Sequence, residues 1–333
     1  MDVLVVGASG LLGTDVVTAL LEADHEVTGL GRAELDVRTL DPDDATALHH
    51  AVGGHEVVVD AAGLSPEAAH RHPGHAFDVD AVGAQLLAAA CARTGARLVH
   101  VSSADVVAGH APGAPVPVEA PLRPVGSHGR AHAAGEWAVR ASGADAVVVR
   151  AGWLYGAHGE CLPRRLARLG REVDALRVPA VWQGQPTWTA DVARVVVGLL
   201  EQRVPAGVYP ASAMGWTDRF GWALEVWESL GRDLDVLEPV EAAGPDGSGT
   251  GPEGHDHGPA EDREHGEDHE HDHGDDHDRG GADGHGAEVL GGTVEPEGWS
   301  VLAPQPLRRL GVEPIGPWRL RWQEAADEVL ADL

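Results

Sequence analysis

Short apolar runs alternate with amphipathic stretches through the first half of the chain. The runs VLVV (3–6), HEVTGL (25–30), HEVVVDAAG (55–63), ARLVHVSS (96–103) and ADAVVVRAG (144–152) are rich in Val and bounded by Gly, Ser or Asp, as buried strands are. Between them, LLGTDVVTALLEA (11–23) and AFDVDAVGAQLLAAACA (76–92) repeat apolar positions at three- and four-residue spacing, which predicts helices. Strand and helix in alternation predict an α/β fold of the Rossmann type, a doubly wound parallel sheet whose ligands sit at the carboxyl ends of its strands. After about residue 152 the alternation loosens. TADVARVVVGLLEQ (189–202) and TDRFGWALEVWESLG (217–231) still read as helices, with GVYPA (207–211) as a short strand between them. The expected organisation is a first domain over 1–152, to which parts of 153–212 return, and a smaller α/β substrate lobe over 153–333.

Residues 244–287 break the pattern. They hold 14 acidic residues, two arginines and eight histidines, and no aliphatic side chain larger than Ala. A segment with so little to bury cannot offset the entropy lost on ordering, so it is expected to be a disordered insert in the second lobe. Its closely spaced imidazoles, His255, His257, His265, His269, His271, His273 and His277, alternate with carboxylates and could gather a divalent metal. A solvated charge run with incidental affinity is the competing reading.

Composition narrows the function classes. The formal charge is −29, and every one of the 24 basic residues is Arg because the chain has no Lys; Asn is also missing. Nucleic acid is an improbable partner for such a balance, since phosphate backbones need cations. No run is apolar for the length of a bilayer span and the N-terminus lacks a basic, cleavable leader, so no membrane partner and a cytoplasmic location are expected. Two distant cysteines, Cys91 and Cys161, suggest neither a disulfide framework nor a metal pair.

Candidate chemistry starts at VLVVGASGLLG, where Gly7, Gly10 and Gly13 stand between the first strand and the first helix, with Leu11 and Leu12 among them. A tight turn, close approach to a pyrophosphate and close helix packing each favour glycine, and the helix N-terminus then faces the phosphate charge. The second strand leads to Arg32 where an acid would bind a ribose hydroxyl. A guanidinium suits a 2′-phosphate, which points to NADP; an exposed arginine without a ligand is the other reading, and NAD stays open. Asp36 and Val37 would then flank the adenine, with Ala61, Ala62 and Gly63 beside the cofactor at the end of a later strand.

Several stretches in order, VVGASGLLG, ELDV, LVHVSSADVVAG, Gly135-Glu136, RAGWLYGAHG, GQPTWTADVA and GVYPA, resemble the extended short-chain dehydrogenase/reductase family and, within it, the dTDP-4-dehydrorhamnose reductase family. The resemblance covers most of the chain outside the His-rich tract. It implies an NADPH-binding Rossmann domain, a small lobe for a nucleotide sugar, and hydride transfer to a 4-keto group. The family uses a Ser or Thr to hold the carbonyl, a Tyr to donate the proton, a Lys four residues later to bind ribose and tune the Tyr, and an Asn to support a relay water. On this chain those positions fall on Ser103, His128, His132 and Asp80. With no Lys or Asn anywhere, no shift of alignment restores them. The only tyrosines, Tyr155 and Tyr209, match other parts of the pattern.

Residues four apart on a helix share a face, so His128 and His132 are expected to point together into the cleft, towards Asp80 or Asp105. Three readings follow: an improvised acid, a partial metal site, and polar remnants of a lost site. Two function classes therefore stand side by side: a reductase working through His128, and a dinucleotide- or nucleotide-sugar-binding protein without turnover. A homodimer and a regulatory partner are both compatible with this sequence.

Overall fold

The computed structural model describes residues 1–39, 46–169, 175–240, 288–289, 298–304 and 307–331. The strands, in chain order, are β1 (Asp2–Val6), β2 (Glu26–Leu30), β3 (Val57–Asp60), β4 (Arg97–Ser103), β5 (Ala146–Ala151), β6 (Trp153–Tyr155) and β7 (Leu176–Pro179). They continue with β8 (Trp182–Gly184), β9 (Pro186–Trp188), β10 (Gly207–Ala211), β11 (Thr217–Asp218), β12 (Leu237–Val240), β13 (Glu288–Val289) and β14 (Gly298–Ser300). The helices are α1 (Leu11–Glu22), α2 (Thr46–Val52), α3 (Pro66–Arg71), α4 (Pro73–Phe77), α5 (Ala84–Thr94), α6 (Gly126–Ala141), α7 (Leu162–Leu169), α8 (Thr189–Glu201), α9 (Arg219–Ser229) and α10 (Trp318–Val329).

Six parallel strands form the central sheet in the order β10-β5-β4-β3-β1-β2. Along β1, Val3 and Val5 face one side while Leu4 and Val6 face the other, so both faces are apolar and each must be covered. On one side Leu12, Val16 and Leu20 of α1 join Val192, Val196 and Leu199 of α8; on the other, Leu87, Ala88 and Cys91 of α5 join Val139 of α6. GVYPA lies not in the second lobe but at the edge of this sheet, paired with β5 from Gly207↔Val147 to Ala211↔Ala151. Strand succession reverses at β1, which has β2 on one side and β3 on the other. The crevice at that switch point opens beyond Val6 and Asp60.

The second lobe is built from small sheets, β11-β8-β14, β12-β7-β13 and β6-β9. Trp222, Trp227 and Trp322 fill its interior, each almost wholly excluded from solvent. The 76–92 stretch departs from a continuous α-helix: Asp78–Gly83 is a π-helical turn between α4 and α5. Gly83 packs there against Val37, to which a Cβ would come within 3.1 Å, and the widened turn carries Asp80 inward.

Helix α6 has a weak apolar stripe, and its contacts with the sheet rest on small residues and one buried ion pair. Arg150, next to the last residue of β5, donates from Nε and Nη2 to the two carboxylate oxygens of Glu136 at 2.8 Å each, and from Nη1 to the Val118 carbonyl at 2.8 Å. Ser102 Oγ donates to Glu136 Oε1 at 2.8 Å. Every side of this charge pair is met by a hydrogen bond, which is the condition under which such a pair is tolerated in a core. Arg150→Met should therefore lower unfolding free energy by about 3–5 kcal/mol by leaving Glu136 unpaired, and adding Glu136→Leu should return much of the loss. Urea denaturation of both variants checks this; a single-variant loss under about 1 kcal/mol would contradict it.

Candidate functional site

The crevice begins at a turn that only glycine fits. Gly7 has φ +80°, and a Cβ there would lie 2.6 Å from the Ala62 nitrogen and 2.8 Å from the Ala61 carbonyl. The chain after β1 and the chain after β3 are thus pressed together, fixing Ala61, Ala62 and Gly63 beside the turn. A Cβ on Gly13 would collide with the Gly7 carbonyl oxygen, so α1 starts directly against it. Gly10 is the N-cap of α1 and offers no side-chain cap, and no acidic residue occupies the first turn. The first amides of α1 are left for an anion, supported by the helix dipole. Leu12 is buried behind the turn and Leu11 half-buried at its rim.

Arg32 stands exposed just beyond β2, after Gly31, whose amide donates to Glu34 Oε2 at 2.9 Å. Asp36 is engaged with Arg38, whose Nε donates to Oδ1 at 2.9 Å, and this hydrogen bond lowers its carboxyl to about 2. The Val37 side chain belongs to the core beneath Gly83.

Ser103 closes β4, and its Oγ accepts from the Asp105 amide at 3.1 Å. The Asp105 carboxylate is held at both oxygens. Oδ2 accepts from His128 Nδ1 at 2.9 Å, and Oδ1 accepts from Ser300 Oγ at 2.6 Å, which itself accepts from Trp182 Nε1 at 2.8 Å. Gly129 makes the approach possible, since a Cβ there would stand 2.6 Å from the Asp105 carbonyl oxygen. One turn on, the His132 ring lies 4.6 Å from that of His128, at 78° to it. Its Nε2 is 3.8 Å from Asp80 Oδ2, too far for a hydrogen bond. Neither Asp80 carboxylate oxygen nor His132 Nδ1 has a side-chain hydrogen-bond partner among the described residues. Behind them, His100 Nδ1 donates to Asp60 Oδ2 at 2.9 Å.

Environment divides these groups. Burial alone would discharge His128, but the Asp105 hydrogen bond and charge, with Asp80 and Glu67, outweigh it and raise its pKa above the ordinary value. Burial also acts on His132, and there the neighbouring charges of His128 and His100 add to it, so its pKa falls well below the ordinary value. Burial pushes the Asp80 carboxyl up to about 7. The result is one imidazole whose cation is favoured and which a carboxylate orients, and one whose neutral form is favoured, beside a carboxyl reluctant to ionise. With His128 Nδ1 committed to Asp105, the second proton of the imidazolium form is on Nε2.

Ser103, His128, His132 and Asp80 thus converge through contacts of one residue with the next, and Gly7, Gly10, Gly13 and 61–63 line the adjoining crevice. Sequence reading passed over Ser300, Glu67 and Arg219. Arg219 Nη1 donates to Glu67 Oε1 at 3.3 Å, and its guanidinium stands 5.7 Å from the Trp153 ring centre. None of these has a local motif; only the tertiary fold brings them near His128. A separate groove of about 990 Å³, lined by Arg194, Val312, Ile315, Leu320 and Arg321, shares no residue with the crevice.

The seven histidines His255, His257, His265, His269, His271, His273 and His277 lie outside the described residues. Among the described residues no group of three or more His, Cys, Asp and Glu is placed to hold a metal ion, and no helix is long and apolar enough to cross a membrane.

A family model for the RmlD substrate binding domain matches residues 1–250. A dTDP-4-dehydrorhamnose reductase of Streptomyces griseus is 37% identical over 245 residues, covering 71% of this chain and 79% of that protein. The crystal structure of a dTDP-4-dehydrorhamnose reductase from Clostridium acetobutylicum aligns with a TM-score of 0.74 at 22% identity, covering 98% of this chain and 99% of that one. Another from Bacillus anthracis, in complex with NADP, aligns with a TM-score of 0.73 at 20% identity, covering 99% and 98%. The two structures share the fold, and the sequence match carries the relationship further: the chain belongs to the dTDP-4-dehydrorhamnose reductase family of extended short-chain dehydrogenases/reductases.

Proposed function

We propose that this protein is an NADPH-dependent reductase of a 4-keto nucleotide sugar in which His128 takes the part of the family's tyrosine. The observation that carries the reading is the Asp105–His128 pair, an imidazole N–H held at 2.9 Å by a buried carboxylate beside the family's serine position. The crevice fits a dinucleotide: Gly7 leaves no side chain in the way, and the uncapped start of α1 offers amides to the pyrophosphate. Bound there, NADPH supplies the hydride. Arg32 would meet the 2′-phosphate, while Asp36, the Val37 backbone and Ala61 to Gly63 would border the adenosine half.

Ser103 Oγ accepts from the Asp105 amide, so its own proton is free for the substrate carbonyl. As negative charge develops on that oxygen, Ser103 holds it and His128 Nε2–H delivers the proton. Asp105 keeps the ring oriented and stabilises its cation. His132 stays neutral and offers the ribose a hydrogen bond rather than a charge.

That neutrality favours a second reading. Without a fixed cation beside the nicotinamide ribose, the chain would serve as a dinucleotide- or nucleotide-sugar-binding protein with no turnover.

Rapid mixing with NADPH and dTDP-4-dehydrorhamnose separates the two. Oxidation of NADPH is expected, slowed about 100-fold or more in His128→Ala. Equal rates remove His128 from the mechanism, and tight binding without oxidation selects the second reading.

The acid role sets a pH dependence. A donor must be protonated, so log kcat/KM should be level at low pH and fall as pH rises through the raised His128 pKa. Removing the Asp105 charge lowers that pKa, so Asp105→Asn should move the fall to lower pH. Asp80 titrates near 7, and its ionisation would favour the His128 cation. A fall that stays in place in Asp105→Asn would argue against the dyad. At the other end of the crevice, Arg32→Ala should weaken NADPH about tenfold and leave NADH unchanged by tryptophan fluorescence titration; equal losses for both would assign Arg32 no part in cofactor choice.

A further inference from the structure

Arg219 opens α9 in the second lobe and reaches across to Glu67 on α3, the helix that follows the crevice loop after β3. The contact is a poor use of an arginine. It is single, at 3.3 Å, longer than a good charge-assisted hydrogen bond, and it occupies one donor of the fork. No other hydrogen bond of Arg219 is present among the described residues. Both side chains keep access to water, at 21% and 36% exposure, so the pair can open without uncovering a dry core. The guanidinium rests over Trp153, which is stacked on the buried Trp222 at 6.1 Å and 17°. This platform supports the guanidinium while leaving its remaining donors unspent.

Cations also gather at this point. Glu67 feels Arg219 and Arg165, and Asp105 feels Arg219. Two permanent positive charges thus act beside the Asp105–His128 pair within a chain whose formal charge is −29. Permanent cations in that place suit an anionic ligand group.

We propose that Arg219 anchors the diphosphate of a nucleoside diphosphate sugar, with Glu67 as the partner that holds the guanidinium until the ligand replaces it. This rests on the reading of the chain as a nucleotide-sugar reductase and adds the residue that recognises the substrate's charged half. A planar fork on an aromatic face can give two parallel hydrogen bonds to phosphate oxygens where Glu67 takes one. The exchange forms and breaks no covalent bond.

Isothermal titration with thymidine 5′-diphosphate, with NADP⁺ saturating so that the glycine turn is occupied, tests the assignment in the full-length protein. Arg219→Ala should weaken the diphosphate about tenfold or more. Arg219→Lys should restore only part of the loss, because a point charge cannot replace the fork. Glu67→Gln should tighten binding severalfold by removing the competing carboxylate. NADPH titration should be unchanged in all three, which also reports that each variant is folded. If wild type binds the diphosphate and Arg219→Ala matches it, this assignment is overturned while the reductase reading stands. If Glu67→Gln weakens binding as much as Arg219→Ala, the pair is a strut between the lobes and the assignment is overturned again. If wild type takes up NADPH and no diphosphate, both the anchor and the nucleotide-sugar reading fall.

Discussion

The close approach of α6 to the sheet and to its neighbours governs the geometry of the site. GSHGRAHAAGEWAVRA has few large apolar side chains, and Trp137 points to solvent. What the helix has instead is the absence of side chains at two contacts. A Cβ on Gly129 would crowd the Asp105 carbonyl, and one on Gly135 would strike the Asp80 carbonyl. The Glu136–Arg150 pair then ties the same helix to β5, and Ser102 ties it to β4. Backbone contact on two sides and a saturated ion pair beneath leave α6 little freedom, and His128 and His132 inherit that rigidity. Small residues substitute here for the apolar stripe that usually seats a helix.

Rigidity makes the electrostatic division possible. Two imidazoles with ring centres 4.6 Å apart in a largely dry setting cannot both carry charge at little cost. The tie is broken by partners. Asp105 is fixed at both oxygens and can only sharpen its hold on His128, whereas Asp80 is buried without a side-chain hydrogen bond from a described residue and resists ionising. Ser300 and Trp182 take part in this from the second lobe, through a chain of hydrogen bonds ending on Asp105. The protonation state of a residue on α6 thus depends on how the second lobe docks.

Much of this was legible before any coordinates. The strands of the central sheet carry continuous Val-rich runs because both their faces are covered, and that pattern is local. The glycine turn is legible for the same reason, since Gly7 and Gly13 answer a local steric demand where a strand feeds directly into a helix. GVYPA has the pattern of a strand, but its place beside β5 is a matter of topology, which five residues do not encode. The π-helical turn at Asp78–Gly83 was not legible: 76–92 keeps helical periodicity, and the interruption comes from packing against Val37 and α6. The spacing of His128 and His132 announced a shared face. Which of them would be charged depended on Asp105, Ser300 and His100, whose roles exist only in three dimensions.

On the proposed reading two imidazoles stand where the family has a phenol and an ammonium, and that changes how the site depends on its surroundings. A phenol keeps its proton across the physiological range, while an imidazolium keeps it only below its own pKa. A site built on His128 must therefore be protected from losing its cation, and the means available are negative charges. Asp105 acts at contact distance, Glu67 and Asp80 act within the cleft, and an acid-rich chain adds a diffuse field of the same sign. The diffuse part is screened by salt, but the buried Asp105 contact is not screened to the same degree. Where the surrounding ionic strength varies, the proton on His128 is thus secured mainly by one buried hydrogen bond, and the acidic surface contributes solubility more than chemistry.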